Sequence, residues 1–227
     1  MMLAGGCKGG WTAEERNLIE NQPAVMRVLT VENEADLDVL RTPCRDIPAS
    51  GLADPLYAAL AEKMVATVTS PEQNGVGIAG PQVGISKRIF VIDFGYLDFV
   101  KAEENGEKPK SAEFRPIAFI NPEITEKEGK IVYGEGCLSV PKYNADVERA
   151  ETIVCKYFDI DGNPQEIKAN GLTAVAIQHE NDHLDGVLFI DKISSLKRGI
   201  ALKKVKKFLG AVRENGSKTE TALYGKE

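Results

Sequence analysis

Gln178-His179-Glu180-Asn181-Asp182-His183 holds both histidines of the 227-residue chain. The pattern is His-Glu-x-x-His. On a helix, residues four apart project side by side, so both imidazoles can reach one metal ion. Glu180 is next to His179 but off the ligand pair, which is the place for a carboxylate that takes a proton from metal-activated water. The flanks read as helix: Leu172, Val175, Ala176, His179 and His183 recur at steps of three and four. Asn170-Gly171 precedes the run, and Gly186 stands where a C-terminal cap belongs. A helix with two buried, hydrogen-bonded histidines is the blander reading. The confinement of both histidines to one apolar face favours the metal.

Two histidines leave a catalytic site short of a ligand. Phe189 stands where a metzincin places its third histidine, and no Glu occurs between Glu180 and Glu214. The third ligand is therefore expected upstream. Glu135-Gly136-Cys137-Leu138-Ser139 is the best candidate, because a thiolate binds borderline divalent ions strongly. Cys44 and Cys155 read as inert buried thiols. A third segment is Gly75-Val76-Gly77-Ile78-Ala79-Gly80-Pro81-Gln82. As a phosphate loop it is weak, since no Lys-Ser/Thr follows. Its small residues suit a backbone lying against a ligand, and Gln82 offers an amide donor able to polarise a carbonyl.

Working outward, Thr12-Ala13-Glu14-Glu15 is a capping box that predicts a short helix over 13–21 within an otherwise flexible N-terminal extension, 1–24. Asp54 and Pro55 start a helix over 54–70, which Pro71 and Asn74-Gly75 end. Strand-like runs follow at 88–93, 117–120 and 130–133. A hairpin joins 151–160 to 165–168 through Asp161-Gly162-Asn163-Pro164. The polar stretch 98–115 reads as a loop insertion. A last helix covers 194–213. One helix, a crowd of strands, then two helices predicts an α+β fold of mostly antiparallel strands wrapped around a buried central helix that carries the His-Glu-x-x-His pattern, with a helix at the C-terminal end. The domain expected is 25–213, followed by a polar tail, 214–227.

Composition bounds the rest. With 43% hydrophobic and 27% charged residues the chain reads as an ordinary folded domain. No run is long and apolar enough to span a membrane. A net charge of −6 argues against DNA binding. The exception is 196–213, with seven Lys and Arg and no Asp or Glu. It reads as a solvated helix face or as a dock on ribosomal RNA. Four cysteines are too sparse for a disulfide scaffold, which points to a reducing, cytoplasmic setting. Leu3-Ala4-Gly5-Gly6-Cys7 offers a lesser alternative: the remnant of a bacterial lipoprotein export signal.

The segments GVGIAGPQ, EGCLS and QHENDH, in that order, resemble the three motifs of the peptide deformylase family. The likeness extends to Leu184 and Gly186-Val187-Leu188-Phe189, and covers roughly 25–195. It implies a divalent ion held by Cys137, His179, His183 and a water, Fe²⁺ by preference with Zn²⁺ or Ni²⁺ able to replace it. It makes Glu180 the general acid and base, with Gln82 and the Leu138 backbone N–H holding the oxyanion. The implied substrate is the N-formylmethionyl end of a nascent peptide, laid as an added strand along Gly75, Val76 and Gly77. Glu135 and Gly136 also count among the substrate-binding positions. Val76, Tyr133, Leu172, Val175 and Ala176 line the methionine pocket in this resemblance. Departures are Gly80 for the usual Ala, Asn181 for an apolar residue, and Asn144 where an Arg is frequent. The 98–115 insertion and the N-terminal extension are also atypical. The rivals are a zinc metallopeptidase, which has no thiol ligand, and a catalytically dead binding module, which would not need Glu180.

Overall fold

The computed structural model describes residues 10–73, 75–107 and 114–214, with the side chains of the last helix described as far as Phe208. Helix α1 (Ala13–Glu20) is opened by the Thr12–Glu15 capping box. Helix α2 (Glu34–Arg41) is capped by Asn33. Helix α3 (Pro55–Val68) starts at Asp54, whose side chain accepts from the Leu56 N–H, with Pro55 at a position needing no donor. Its inner face buries Tyr57, Leu60, Met64 and Val68.

Strands β1 (Gly77–Ala79), β2 (Ile89–Asp93), β3 (Pro116–Glu128), β6 (Thr152–Phe158) and β7 (Pro164–Asn170) form one sheet in the order β1-β2-β3-β6-β7. Strands β4 (Ile131–Cys137) and β5 (Val140–Arg149) form a separate hairpin. Every pairing between these strands is antiparallel. Fully buried Ile89, Phe90, Val91 and Ile92 fill both faces of β2, as a central strand between two layers requires.

Helix α5 (Gly171–Leu184) carries His179, Glu180 and His183, and contacts β1, β2, β4, β6 and β7. Gln178 pins it to the end of β5: its amide accepts from Ala150 N–H at 3.1 Å and donates to Ala150 C=O at 2.9 Å. Helix α6 (Ser195–Glu214) lies on β5, burying Ala201 and Val205.

Three sequence expectations change. The stretch 98–115 is not all loop: helix α4 (Phe94–Glu104) occupies its first part, capped by Asp93, whose side chain accepts from Gly95 N–H. Its charged outer face hid the helical period, and only Gly95 and Leu97 are buried on it. Residues 108–113 lie outside the described set. The short α2 and the strand β5 were not anticipated, since neither carries a long apolar run. Finally, the N-terminal extension is anchored: α1 forms where the capping box predicts it, and Trp11 and Ile19 are buried beside Tyr57 and Leu60, while 20–24 stay exposed. The Leu3-Ala4-Gly5-Gly6-Cys7 stretch and the tail beyond Glu214 lie outside the described residues.

Candidate active site

The three sequence segments converge on one cleft of about 1220 Å³. β4 ends at Cys137, where the hairpin register shifts before Val140. That irregularity turns the thiol toward α5. Ligand atoms of Cys137, His179 and His183 lie within 4.8 Å of one another, and the Cys137 Sγ to His183 Nε2 distance is 3.3 Å. Burial, with His179 close by, holds the His183 imidazole well below its ordinary pKa, whereas His179, against the pull of its own burial, is held well above it by Cys137 and Glu135. The His183 Nδ1 is buried with no partner among the described residues.

His179 is oriented from behind. Its Nδ1 lies 2.7 Å from Glu135 Oε2. Glu135 is in turn held by two Arg149 hydrogen bonds, of 2.6 and 2.8 Å. Burial opposes ionisation of Glu135, but Arg149 and His179 bring its pKa down to about 2. Arg149 also pairs with Asp182, which meets Lys192 at 3.2 Å. Arg149 and Asp182 escaped the sequence reading. Their signals were a charged residue ending an alternating strand and an acid at an unspecified position of the His-Glu-x-x-His pattern.

Glu180 is buried, and its Oε2 has no partner among the described residues. Burial raises its pKa to about 7. Its carboxylate lies against the Gly77 backbone so closely that a Cβ on Gly77 would stand 2.8 Å from Oε1. That contact explains the glycine. The 3₁₀ turn Gly80–Val83 presents Gln82, whose Oε1 accepts from Ala79 N–H at 2.8 Å. This leaves Gln82 Nε2 pointing to Cys137 Sγ at 3.7 Å and Ser139 Oγ at 3.3 Å. The chain following α1 stitches this turn to the β4–β5 hairpin: Leu29 N–H donates to Gln82 C=O at 2.8 Å, and Val31 N–H to Ser139 C=O at 3.0 Å.

Gly75, Val76, Gly77, Tyr133, Glu135, Gly136, Leu138, Leu172, Val175 and Ala176 all line the same cleft. Tyr133 is tied by its hydroxyl to Glu104, so α4 closes over this end and adds Val100 to the lining. Asn181 finds a polar partner in Arg88, whose guanidinium donates to it at 3.3 Å. Asn144 pairs with Gly136 across the hairpin. Cys44 and Cys155 are buried, with pKa values pushed up to about 12 by that burial.

A family model described as polypeptide deformylase matches residues 25–199. Peptide deformylase 2 of Xanthomonas campestris pv. campestris is 44% identical over 168 residues, 74% of this chain and 89% of that protein. The crystal structure of a Legionella pneumophila peptide deformylase is similar with a TM-score of 0.66 at 35% identity, covering 82% of this chain and 96% of that one. An Acinetobacter baumannii class I type b peptide deformylase, solved with Met-Ala-Ser bound, gives a TM-score of 0.61 at 34% identity over 74% of this chain and 98% of the other.

Proposed function

The chain belongs to the polypeptide deformylase family, enzymes that remove the N-formyl group from newly made polypeptides, and from that premise we propose how its residues divide the work. The family uses a single divalent metal ion, and here Cys137, His179 and His183 would hold it. The converging sulfur and nitrogen atoms and the back-bonded His179 fit such an ion. Fe²⁺ is the ion we assign in the cell, as the family resemblance implies, with Zn²⁺ and Ni²⁺ able to take its place, although ligand softness alone would favour Zn²⁺. A bound ion supplies Lewis acidity toward water and the formyl carbonyl.

The remaining steps belong to the protein. Glu180 takes a proton from the attacking water and passes it to the leaving amine nitrogen. Its buried Oε2, without a partner among the described residues, is free to take that proton and release it. Gln82 Nε2, fixed through Ala79, and the Leu138 N–H donate to the formyl oxygen as it gains charge, typically the largest single catalytic contribution. The peptide lies extended along Gly75, Val76 and Gly77, with Glu135 and Gly136 opposite. Its methionine side chain enters among Val76, Tyr133, Leu172, Val175 and Ala176. The buried α5, with strands on several sides, is the central helix that keeps these parts in register. Formate and a free α-amino group leave.

The observation that carries this reading is the meeting of Cys137, His179 and His183 beside an unpartnered buried Glu180. The Met-Ala-Ser bound to the Acinetobacter baumannii relative supports the substrate class. The test is formate release from formyl-Met-Ala-Ser by anaerobically prepared protein, with bound metal measured alongside. Acetyl-Met-Ala-Ser should be cleaved far more slowly, since the acyl site between Gln82 and the Leu138 N–H is expected to admit hydrogen but not methyl. Comparable rates would make the protein a broader amidase.

Such a substrate puts the enzyme beside translation in the cytoplasm, and no described helix is long and apolar enough to cross a membrane. We also assign α6 a docking role on ribosomal RNA, through exposed Lys203, Lys206 and Lys207. Deleting α6 would uncover Val140 and Leu188, which share a cluster with Ala201 and Val205. Reversing the three lysines to Glu is the cleaner test. Ribosome co-sedimentation should weaken and lose part of its salt dependence. Unchanged sedimentation would leave α6 a solvated face.

A further inference from the structure

Residues 10–24 lie outside the matched family region, 25–199, yet they reach the active-site cleft. Their attachment is firm. The Trp11 ring lies tilted at 39° against Tyr57 with centroids 4.4 Å apart, and its Nε1 donates to Asp54 at 3.2 Å. Buried Lys87 binds the Gly10 carbonyl, sits 3.7 Å from Glu15 and lies 5.4 Å from the Trp11 ring centroid. With Ile19 buried one residue on, the half-buried Leu18 is held at the cleft and against Gly84, where an added Cβ would stand 3.1 Å from Leu18 Cδ1.

Leu18 and Pro23, with Val25 just beyond, line the same cleft as His179 and Glu180. Val25 is 47% exposed, a large apolar side chain left open to water. The cleft, about 1220 Å³, exceeds the roughly 300–1,000 Å³ of a typical small-ligand pocket. It has room for several extended residues of a peptide, each advancing about 3.3 Å. We propose that Leu18 and Pro23, added to the family's cleft by the N-terminal segment, form with Val25 an apolar subsite for a side chain downstream of the formylmethionine. The inference rests on the deformylase reading, because it takes the nascent peptide as the occupant.

The experiment compares formyl-Met peptides of five residues with Leu or Ser placed in turn at the second, third and fourth positions, followed by formate release. Wild-type enzyme should favour Leu at one of these positions by about five- to tenfold in kcat/KM, the low end for an apolar contact open on one side. Leu18→Gln should bring that ratio close to one. Pro23→Ser, away from the Gly84 contact, should reduce it too. A wild-type ratio near one at all three positions overturns the subsite. So does an equal loss on Leu and Ser peptides in both variants, which would assign the segment to support of the Gln82 turn. No formate from any peptide in the wild type would instead overturn the deformylase reading itself.

Discussion

Glu135 Oε2 lies 2.7 Å from His179 Nδ1, and both Glu135 oxygens are gripped by Arg149. The pair turns the His179 ring so that Nε2 is the nitrogen left for the cleft. It also ties the β4–β5 hairpin, which supplies Cys137, to α5, which supplies the histidines. Ligands from two separate elements are thus held by one buried carboxylate, whose charge Arg149 balances.

Replacing Glu135 with Gln keeps its size but removes the anion that His179 and Arg149 share. Metal affinity should fall about 10- to 100-fold, the usual cost of losing a partner behind a ligating histidine. Competition against a chelator reads this directly. An unchanged dissociation constant would remove Glu135 from the support of the site.

Thiol chemistry separates the cysteines. Burial pushes Cys44 and Cys155 up to about 12, so almost no thiolate exists on them near pH 8. Cys137 is half-buried and lines the cleft. Iodoacetamide at pH 8, followed by peptide mapping of the metal-free protein, should label Cys137 well ahead of Cys44 and Cys155. Prior loading with Zn²⁺ should protect it. Equal labelling with and without the ion would argue against Cys137 as a ligand.

Much of this was legible because the chemistry is local in sequence. His179, Glu180 and His183 share two helical turns, and the Gly75–Gln82 and Glu135–Ser139 stretches each carry their residue types together. The antiparallel α+β arrangement followed from the order of helical and alternating runs. What stayed hidden depends on contacts distant in sequence. Arg149 meets Glu135 across a hairpin and Asp182 across two layers. Helix α4 exposes most of its charge, so its period was faint. Trp11 and Ile19 gave no sign that 10–24 would pack on α3, because two apolar residues eight apart do not fix a partner.

Asp191 offers a pH-dependent test of stability. It joins Arg41 of α2 and Arg198 of α6, and accepts the Leu188 N–H at 2.9 Å. Burial works against ionisation, but Arg41 and the Leu188 N–H hold its pKa below the ordinary carboxylate value. The folded state therefore binds the Asp191 proton less readily than the unfolded state does. Its contribution is fully present above the unfolded pKa and is lost as pH falls through the folded one. Asp191→Asn should cost about 1–3 kcal/mol at pH 7 by urea unfolding. The gap from wild type should narrow below about pH 4. A gap that stays constant down to pH 3 would mean that the Asp191 charge contributes nothing.

Glu180 carries the proton step, and its variant is the most direct probe of the mechanism. The side chain is buried, leans on the Gly77 backbone and leaves Oε2 without a partner among the described residues. It sits one residue from His179 but is not among the three converging ligands. Glu180→Gln preserves shape and the contact with Gly77 while removing the group that accepts a proton. General acid–base help is typically worth about 10²–10⁴ in rate. We expect kcat for formyl-Met-Ala-Ser to drop by at least that range, with KM changed far less, since the loss falls in the transition state. Metal content should stay near wild type. A kcat close to wild type at full metal occupancy would remove Glu180 from the proton path. Loss of metal in the variant would show instead that Glu180 supports the ligands.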